Sequence, residues 1–158
     1  MTGSTEKEKR DRGKRYLLIL PCSKKKRDVA AAPAIELYNG PFYQILRKQR
    51  SLNLDVLVLS AKYGLIDVEK IITSYDQKMT ERRALELSKS VREKLEKTIA
   101  TGHHKEIFVN LGSTYMAALC VSKDVLDRCN TSYATGRIGE RMQQLRNWIT
   151  RLTNGELQ

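Results

Sequence analysis

Cysteine is scarce in this chain. There are three, Cys22, Cys120 and Cys129. An odd number with no CxxC spacing argues against a disulfide framework and against a cysteine-based zinc site. Histidine is scarcer still. His103 and His104 are neighbours, adjacent side chains rarely converge on one ion, and the pair reads as a polar turn after a helix. No metal or other cofactor is expected. No apolar run approaches the roughly 20 residues of a membrane span, so no membrane partner is expected either. The opening stretch MTGSTEKEKRDRGKR lacks the apolar core of a secretory signal, which points to a reducing, cytoplasmic setting. Internal repeats, low-complexity linkers and the glycines of a P-loop are also missing.

Acidic residues are the other shortage. Lys and Arg number 29 against 18 Asp and Glu, a net charge of +11. Such an excess favours a polyanion partner, DNA or another nucleic acid, and its distribution is informative. Residues 1–15 carry six basic and three acidic side chains, net +3; residues 22–50 carry seven and two, net +5; residues 136–151 carry four and one, net +3. These three stretches account for the whole excess. If two of them meet in space, they make a groove and not a diffuse coat.

What is present reads as a single α/β domain over residues 16–158, preceded by a flexible basic tail over residues 1–15. A length of 158 residues suits one core. YLLILP (16–21) and DVLVLS (55–60) are short continuous apolar runs, the pattern of strands buried on both faces of a parallel sheet. KEIFVN (105–110) reads as a third strand, and residues 130–133 as a short fourth. Residues 22–33 read as a loop, then a helical turn leads to a helix beginning near Pro41. Residues 61–79 read as irregular. Thr80 caps a helix to Ala100, with Ala84, Leu87, Val91 and Leu95 as its apolar stripe and Gly102 at its end. Gly112 and Ser113 start a helix to about Val121. Gly139–Thr153 is a closing helix, its stripe running Ile138, Met142, Leu145, Ile149, Leu152, with Trp148 at the edge. Strands alternating with helices predict a three-layer domain, a central mostly parallel sheet flanked by helices.

In such sheets ligands bind beyond the carboxyl ends of the strands. That rule selects the loops after Pro21, Ser60 and Asn110. In the first, Cys22, Ser23, Lys24 and Lys25 place a hydroxyl and cations where an anion can be gripped. Cys22 is a nucleophile if the lysines lower its pKa, or a half-buried thiol at a strand end. In the second, Ser60, Lys62, Tyr63 and Gly64 leave the strand, and Tyr75 and Asp76 return ten residues later. Aromatic rings near cations make a base-stacking platform. Asp76 is the best candidate for a catalytic carboxylate, its alternative role being a turn or cap before the next helix. In the third, Gly112 at a helix start reads either as an anion cradle or as ordinary capping. A fourth segment, Gly136-Arg137-Ile138-Gly139-Glu140-Arg141, either places Arg137 to take a phosphate bidentately or is a loop that needs glycine for its turns.

The stretches LILPCSKKK, APAIELYNGPFY, LVLSAKYGLI and ITSYDQKM resemble the DUF6884 family of small bacterial and phage proteins. More distantly they resemble YaaA-like proteins, which have a similar YGL…PY segment. PCSKKK is similar to the Pro-Cys-Lys module of archaeosine synthase. The resemblance covers roughly residues 16–80, with a further match over 136–148. It implies a fold akin to uracil-DNA-glycosylase-like proteins and a nucleic acid or modified base as ligand. The wider group is linked to DNA protection, base modification and removal of modified bases in phage defence. Carried over, the pocket comprises Cys22, Ser23 and Lys24, then Ser60, Lys62, Tyr63 and Gly64, then Tyr75 and Asp76. Ser74 departs from the proline that relatives often show there, and these motifs hold no acid/base histidine.

Two functions compete on this reading. One is a DNA glycosylase-like hydrolase of the N-glycosidic bond of a modified base, with Asp76 and Lys62 as catalytic residues and the base flipped against Tyr63 or Tyr75. The other is a non-catalytic DNA-binding stress-protection protein. A third is an enzyme of small nucleotides or deazapurines, which requires a compact closed pocket.

Overall fold

The computed structural model describes residues 15–48 and 53–157. The tail expected over residues 1–15 therefore lies outside the described residues, apart from Arg15. Strand β1 (Tyr16–Pro21) is buried at every position, which is why its sequence is apolar without alternation. It pairs in parallel with β3 (Leu54–Ser60) on one side and β6 (Glu106–Val109) on the other. β7 (Thr131–Tyr133) continues the parallel set beyond β6, and β4 (Gly64–Asp67) folds back antiparallel on β3. The five-stranded order is β4-β3-β1-β6-β7.

Alternate residues of these strands feed two cores. Leu17, Ile19, Leu57, Leu59, Ile107 and Val109 meet Ala84, Leu87, Val91 and Leu95 of helix α3 (Glu81–Gly102). Leu18, Leu20, Val56, Val58 and Phe108 face the opposite way. They are covered by α1 (Ala34–Leu37), α2 (Pro41–Arg47) and the closing helix α6 (Ile138–Leu157). A central mostly parallel sheet with helices on both faces is the expected architecture. Each fully buried Leu or Ile contributes about 1.5–3 kcal/mol of transfer free energy, so the two cores secure the sheet from both sides. Trp148 lies deeper than the stripe edge expected of it. Its ring is 5.2 Å from Phe108 and edge-on to Tyr16 at 6.3 Å.

Thr80 caps α3 as its sequence position implies, with Oγ1 accepting the Arg83 N–H at 3.1 Å. The helix runs two residues past Ala100, because His103 and not Gly102 takes the left-handed C-cap conformation (φ 49°). His104 departs from a solvated turn. Its side chain is 1% exposed and its Nε2 lies 2.8 Å from Asp55 Oδ2. Asp55 also pairs with Arg15. Burial pushes the Asp55 carboxyl up, but the hydrogen bonds from Arg15 and His104 outweigh burial and hold it below its ordinary value.

Two segments read as irregular carry short strands. β2 (Ala31–Pro33) and β5 (Ile71–Thr73) form a separate antiparallel pair. Three residues are too few for a periodic signal. The helix expected from Gly112 to Val121 is broken into α4 (Ser113–Met116) and a 3-10 turn (Ala117–Leu119), followed by α5 (Lys123–Asp127). Among the described residues no helix is long and apolar enough to cross a membrane.

Candidate functional site

The strand order fixes where a ligand can enter. From β1 the chain moves to β3 through helices on one face; β6 lies on the other side of β1, and the chain leaving it passes to the opposite face. The connections therefore diverge between the carboxyl ends of β1 and β6, the arrangement that opens a crevice in doubly wound sheets. Cys22, directly after β1, and Tyr115, in α4 after β6, face each other across it, with Sγ and the phenol oxygen 3.2 Å apart.

The crevice has two lobes with a common wall of Cys22, Ser23, Lys24 and Tyr115. The first, about 300 Å³, is completed by Lys26, Thr114 and the segment Asp76–Met79. The second, about 230 Å³, is completed by Gly40, Phe42, Tyr43, Gly112 and Arg141, among others. Together they fall within the about 300–1,000 Å³ typical of small-ligand sites.

Arg141 is the main electrostatic feature of the second lobe. Its Nε and Nη1 are buried and have no hydrogen-bond partner among the described residues. The guanidinium lies 5.7 Å from the centre of the Phe42 ring. It also passes so close to Gly112 that a Cβ there would stand 3.3 Å from Nη2. A side chain at 112 would make the guanidinium give by a few tenths of an ångström. Burial works against the charge on Arg141, and Tyr115 offsets part of that effect. Asn110, 0% exposed, donates from Nδ2 to the Arg141 carbonyl at 2.9 Å and ties the start of α6 to the end of β6. Arg141 as a whole is half-buried, and an anion in this lobe would supply partners for the unused donors.

Behind the first lobe runs a chain of hydroxyls. Ser60, 0% exposed, accepts the N–H groups of Lys62 and Tyr63 at 3.2 and 3.1 Å. With both lone pairs engaged, its O–H is left to donate to Tyr75, whose oxygen is 2.9 Å away. Tyr75 then donates to Tyr38 at 2.7 Å. Tyr43 donates to the Pro21 carbonyl at 2.5 Å, bracing the end of β1. Burial pushes the Tyr38 phenol up to about 12 and raises those of Tyr43, Tyr75 and Tyr115 as well. All four are neutral hydrogen-bonding groups at physiological pH. Lys26 places its ammonium 4.4 Å from the centre of the Tyr75 ring, so this loop is held by a cation–π contact.

Several residues singled out by sequence thus converge. Cys22, Ser23 and Lys24 line both lobes, Asp76 lines the first and Gly112 the second. Cys22 is half-buried at the strand end. Ser60 and Tyr75 stand behind the pocket as its support. Lys25, Lys62, Tyr63 and Arg137 line neither lobe. Lys62 lies over the Tyr63 ring at 5.2 Å, and Tyr63 bonds outward to Thr73 Oγ1 at 2.6 Å. The Thr73 contact, with Lys62 nearby, lowers the Tyr63 phenol. Gly64 serves the β3–β4 turn, which requires its φ of 76°. Arg137 is exposed, and its backbone N–H bonds Glu140. Ser74 uses the N–H that a proline would lack, donating to Ala30 at 2.9 Å and fastening the segment before Asp76.

Sequence reasoning assigned no role to Arg141, Tyr38 or Tyr115. For Arg141 a signal existed. It precedes Leu145, Trp148 and Leu152 at spacings of four, seven and eleven, a row that faces the core. An arginine on a buried stripe is anomalous without a ligand or partner. Among the described residues no cluster of three His, Cys, Asp or Glu could hold a metal ion.

The family model described as a family of unknown function, DUF6884, matches residues 17–147. No curated protein matches the chain. Among solved structures, the crystal structure of AF0587, a protein of unknown function, is similar, with a TM-score of 0.54 and 15% identity over 86% of this chain and 44% of that one. At that identity the likeness is one of fold. The chain spans less than half the length of that protein.

Proposed function

The chain belongs to the DUF6884 family, and from its two-lobed pocket we propose a nucleic-acid-directed enzyme that hydrolyses the N-glycosidic bond of a modified base. The observation that carries this reading is the buried guanidinium of Arg141, its donors unused, in a lobe that adjoins one bearing a carboxylate. An anion in the Arg141 lobe places the attached sugar at the common wall and the base in the Asp76 lobe. A phosphate flanking a flipped nucleotide meets that description.

In this scheme Asp76 aligns a water and takes its proton as the oxygen bonds to the sugar carbon. The carbon–nitrogen bond breaks, and the proton taken by Asp76 passes to the base in place of the sugar. Tyr115, kept neutral by burial, offers its O–H to the departing base. Lys24 neutralises a second phosphate at the rim. Lys62, outside both lobes, contacts the flanking strand and takes no part in bond cleavage.

The non-catalytic DNA-binding reading also has an observation in its favour. Asp76 is exposed at the mouth of its lobe, and no histidine lines either lobe. The test is incubation with base-modified single-stranded and duplex DNA, followed by mass spectrometry of released bases. Release by the native protein and loss of release in Asp76→Asn supports hydrolysis. Binding without release moves the function to the non-catalytic reading. Neither binding nor release overturns both.

A further inference from the structure

A groove of about 300 Å³ runs between α2 and α6, beyond the two lobes. Its floor is Ile45, Met142 and Ile149, and Lys48 and Arg146 stand along it. Pro41 lines both this groove and the Arg141 lobe, so the two adjoin. We propose that the groove is the track for a single-stranded segment of nucleic acid leading away from the nucleotide held in the pocket. The direction of the track rests on the hydrolase reading above; the groove's affinity for a strand does not.

Charge complementarity selects this occupant. Among the described residues, no Asp or Glu lines the groove or the Arg141 lobe. Lys24, Arg141, Arg146 and Lys48 form no ion pair among the described residues. The opposite face of the sheet contrasts with this. There Arg92 pairs with Glu96 and Asp124 at 2.6 Å each, Arg128 with Asp124 at 3.2 Å, and Lys94 with Asp67 at 2.9 Å. Arg151 of α6 is also paired, with Glu106 at 2.6 Å; the four cations of the lobe and groove have no such partner among the described residues. Packed helices lie about 8–10 Å apart axis to axis, and their seam admits one backbone but no duplex. The apolar floor offers a surface for sugars and base faces that a strand presents and a free phosphate does not.

The experiment titrates the full-length protein into a fluorescein-labelled octathymidylate and, separately, into thymidine monophosphate, across a sodium chloride series. The variant is Lys48→Ala/Arg146→Ala. Both side chains are exposed and unpaired, and matched thermal midpoints confirm an unchanged fold. The expected result is at least a tenfold loss of octanucleotide affinity. The slope of log affinity against log salt falls by about 1.4, two contacts at about 0.7 each. Binding of the monophosphate is unchanged. An octanucleotide affinity and salt slope untouched by the variant overturn the track while leaving the pocket reading intact. A duplex bound as tightly as the strand, or a self-association abolished by the variant, also overturns it. Octanucleotide binding that needs Lys48 and Arg146, without monophosphate binding or base release, keeps the track and removes the hydrolase.

Discussion

Replacing Ser60 by alanine tests the hydroxyl chain that supports the pocket. The substitution removes one oxygen and little volume, so its cost is almost wholly polar. Three hydrogen bonds go, from the Lys62 and Tyr63 N–H groups and to the Tyr75 phenol. At about 0.5–1.5 kcal/mol net for each bond the upper range is about 4.5 kcal/mol. Two features reduce it. Tyr75 keeps its bond to Tyr38, and Lys62 is exposed, so water reaches one of the freed amides. A loss of about 2 kcal/mol remains. With a urea dependence of about 2 kcal/mol per molar, the unfolding midpoint falls by about 1 M at unchanged slope. Tyr75→Phe removes the phenol but leaves both amides bonded to Ser60, and costs about 1 kcal/mol. Equal costs for the two variants, or a midpoint shift below about 0.3 M for Ser60→Ala, would refute the view that Ser60 fixes the turn after β3.

Arg141→Ala lowers affinity for nucleoside monophosphates at least tenfold, since a charge-assisted bidentate contact is lost; Arg137→Ala leaves isothermal titration with the same ligand unchanged. Stability falls on the alkaline side. The Tyr38 phenol is raised to about 12 from 10, so the unfolded chain releases its proton first, and urea midpoints drop as pH climbs from about 10 to 12; a flat profile there contradicts the buried tyrosine cluster. On the acid side Asp55 is lowered below its ordinary 3.8, so its contribution is present above that value and disappears as pH falls beneath it. Asp55→Asn should be destabilised at neutral pH and lose less stability than the native protein between pH about 4 and 2.

The strands at the centre of the sheet were legible because burial on both faces leaves an apolar run that nothing else explains. β1 and β3 announce themselves this way, and α3 does so through Thr80 and its stripe. β2 and β5 were not legible, because three residues hold no period and their pairing joins positions some forty apart. The division was similar at the site. Cys22, Ser23, Lys24, Ser60, Tyr75 and Asp76 could be selected because they follow strands, and ligands gather there. Tyr115 and Arg141 come from two helices that only the tertiary fold brings to one crevice, and Tyr38 joins the hydroxyl chain behind it. Arg137 drew attention through its flanking glycines. Arg141, one turn later, carried the stronger signal, since it occupies a position that α6 otherwise gives to Leu145, Trp148 and Leu152.

That arginine makes the free protein less stable than its scaffold allows. A methionine at 141 would bury comparable length without a charge to desolvate, and the unliganded fold would gain stability as it lost its anion site. The same reasoning runs in reverse for the bound state. An anion that completes the Arg141 contacts binds only the folded chain, so each tenfold of ligand above its dissociation constant adds about 1.4 kcal/mol to folding. The pocket therefore reports its own occupant. A library of nucleotides, modified bases and oligonucleotides screened by melting temperature, with the Arg141→Met protein as the insensitive control, would rank ligands before any reaction has been assigned.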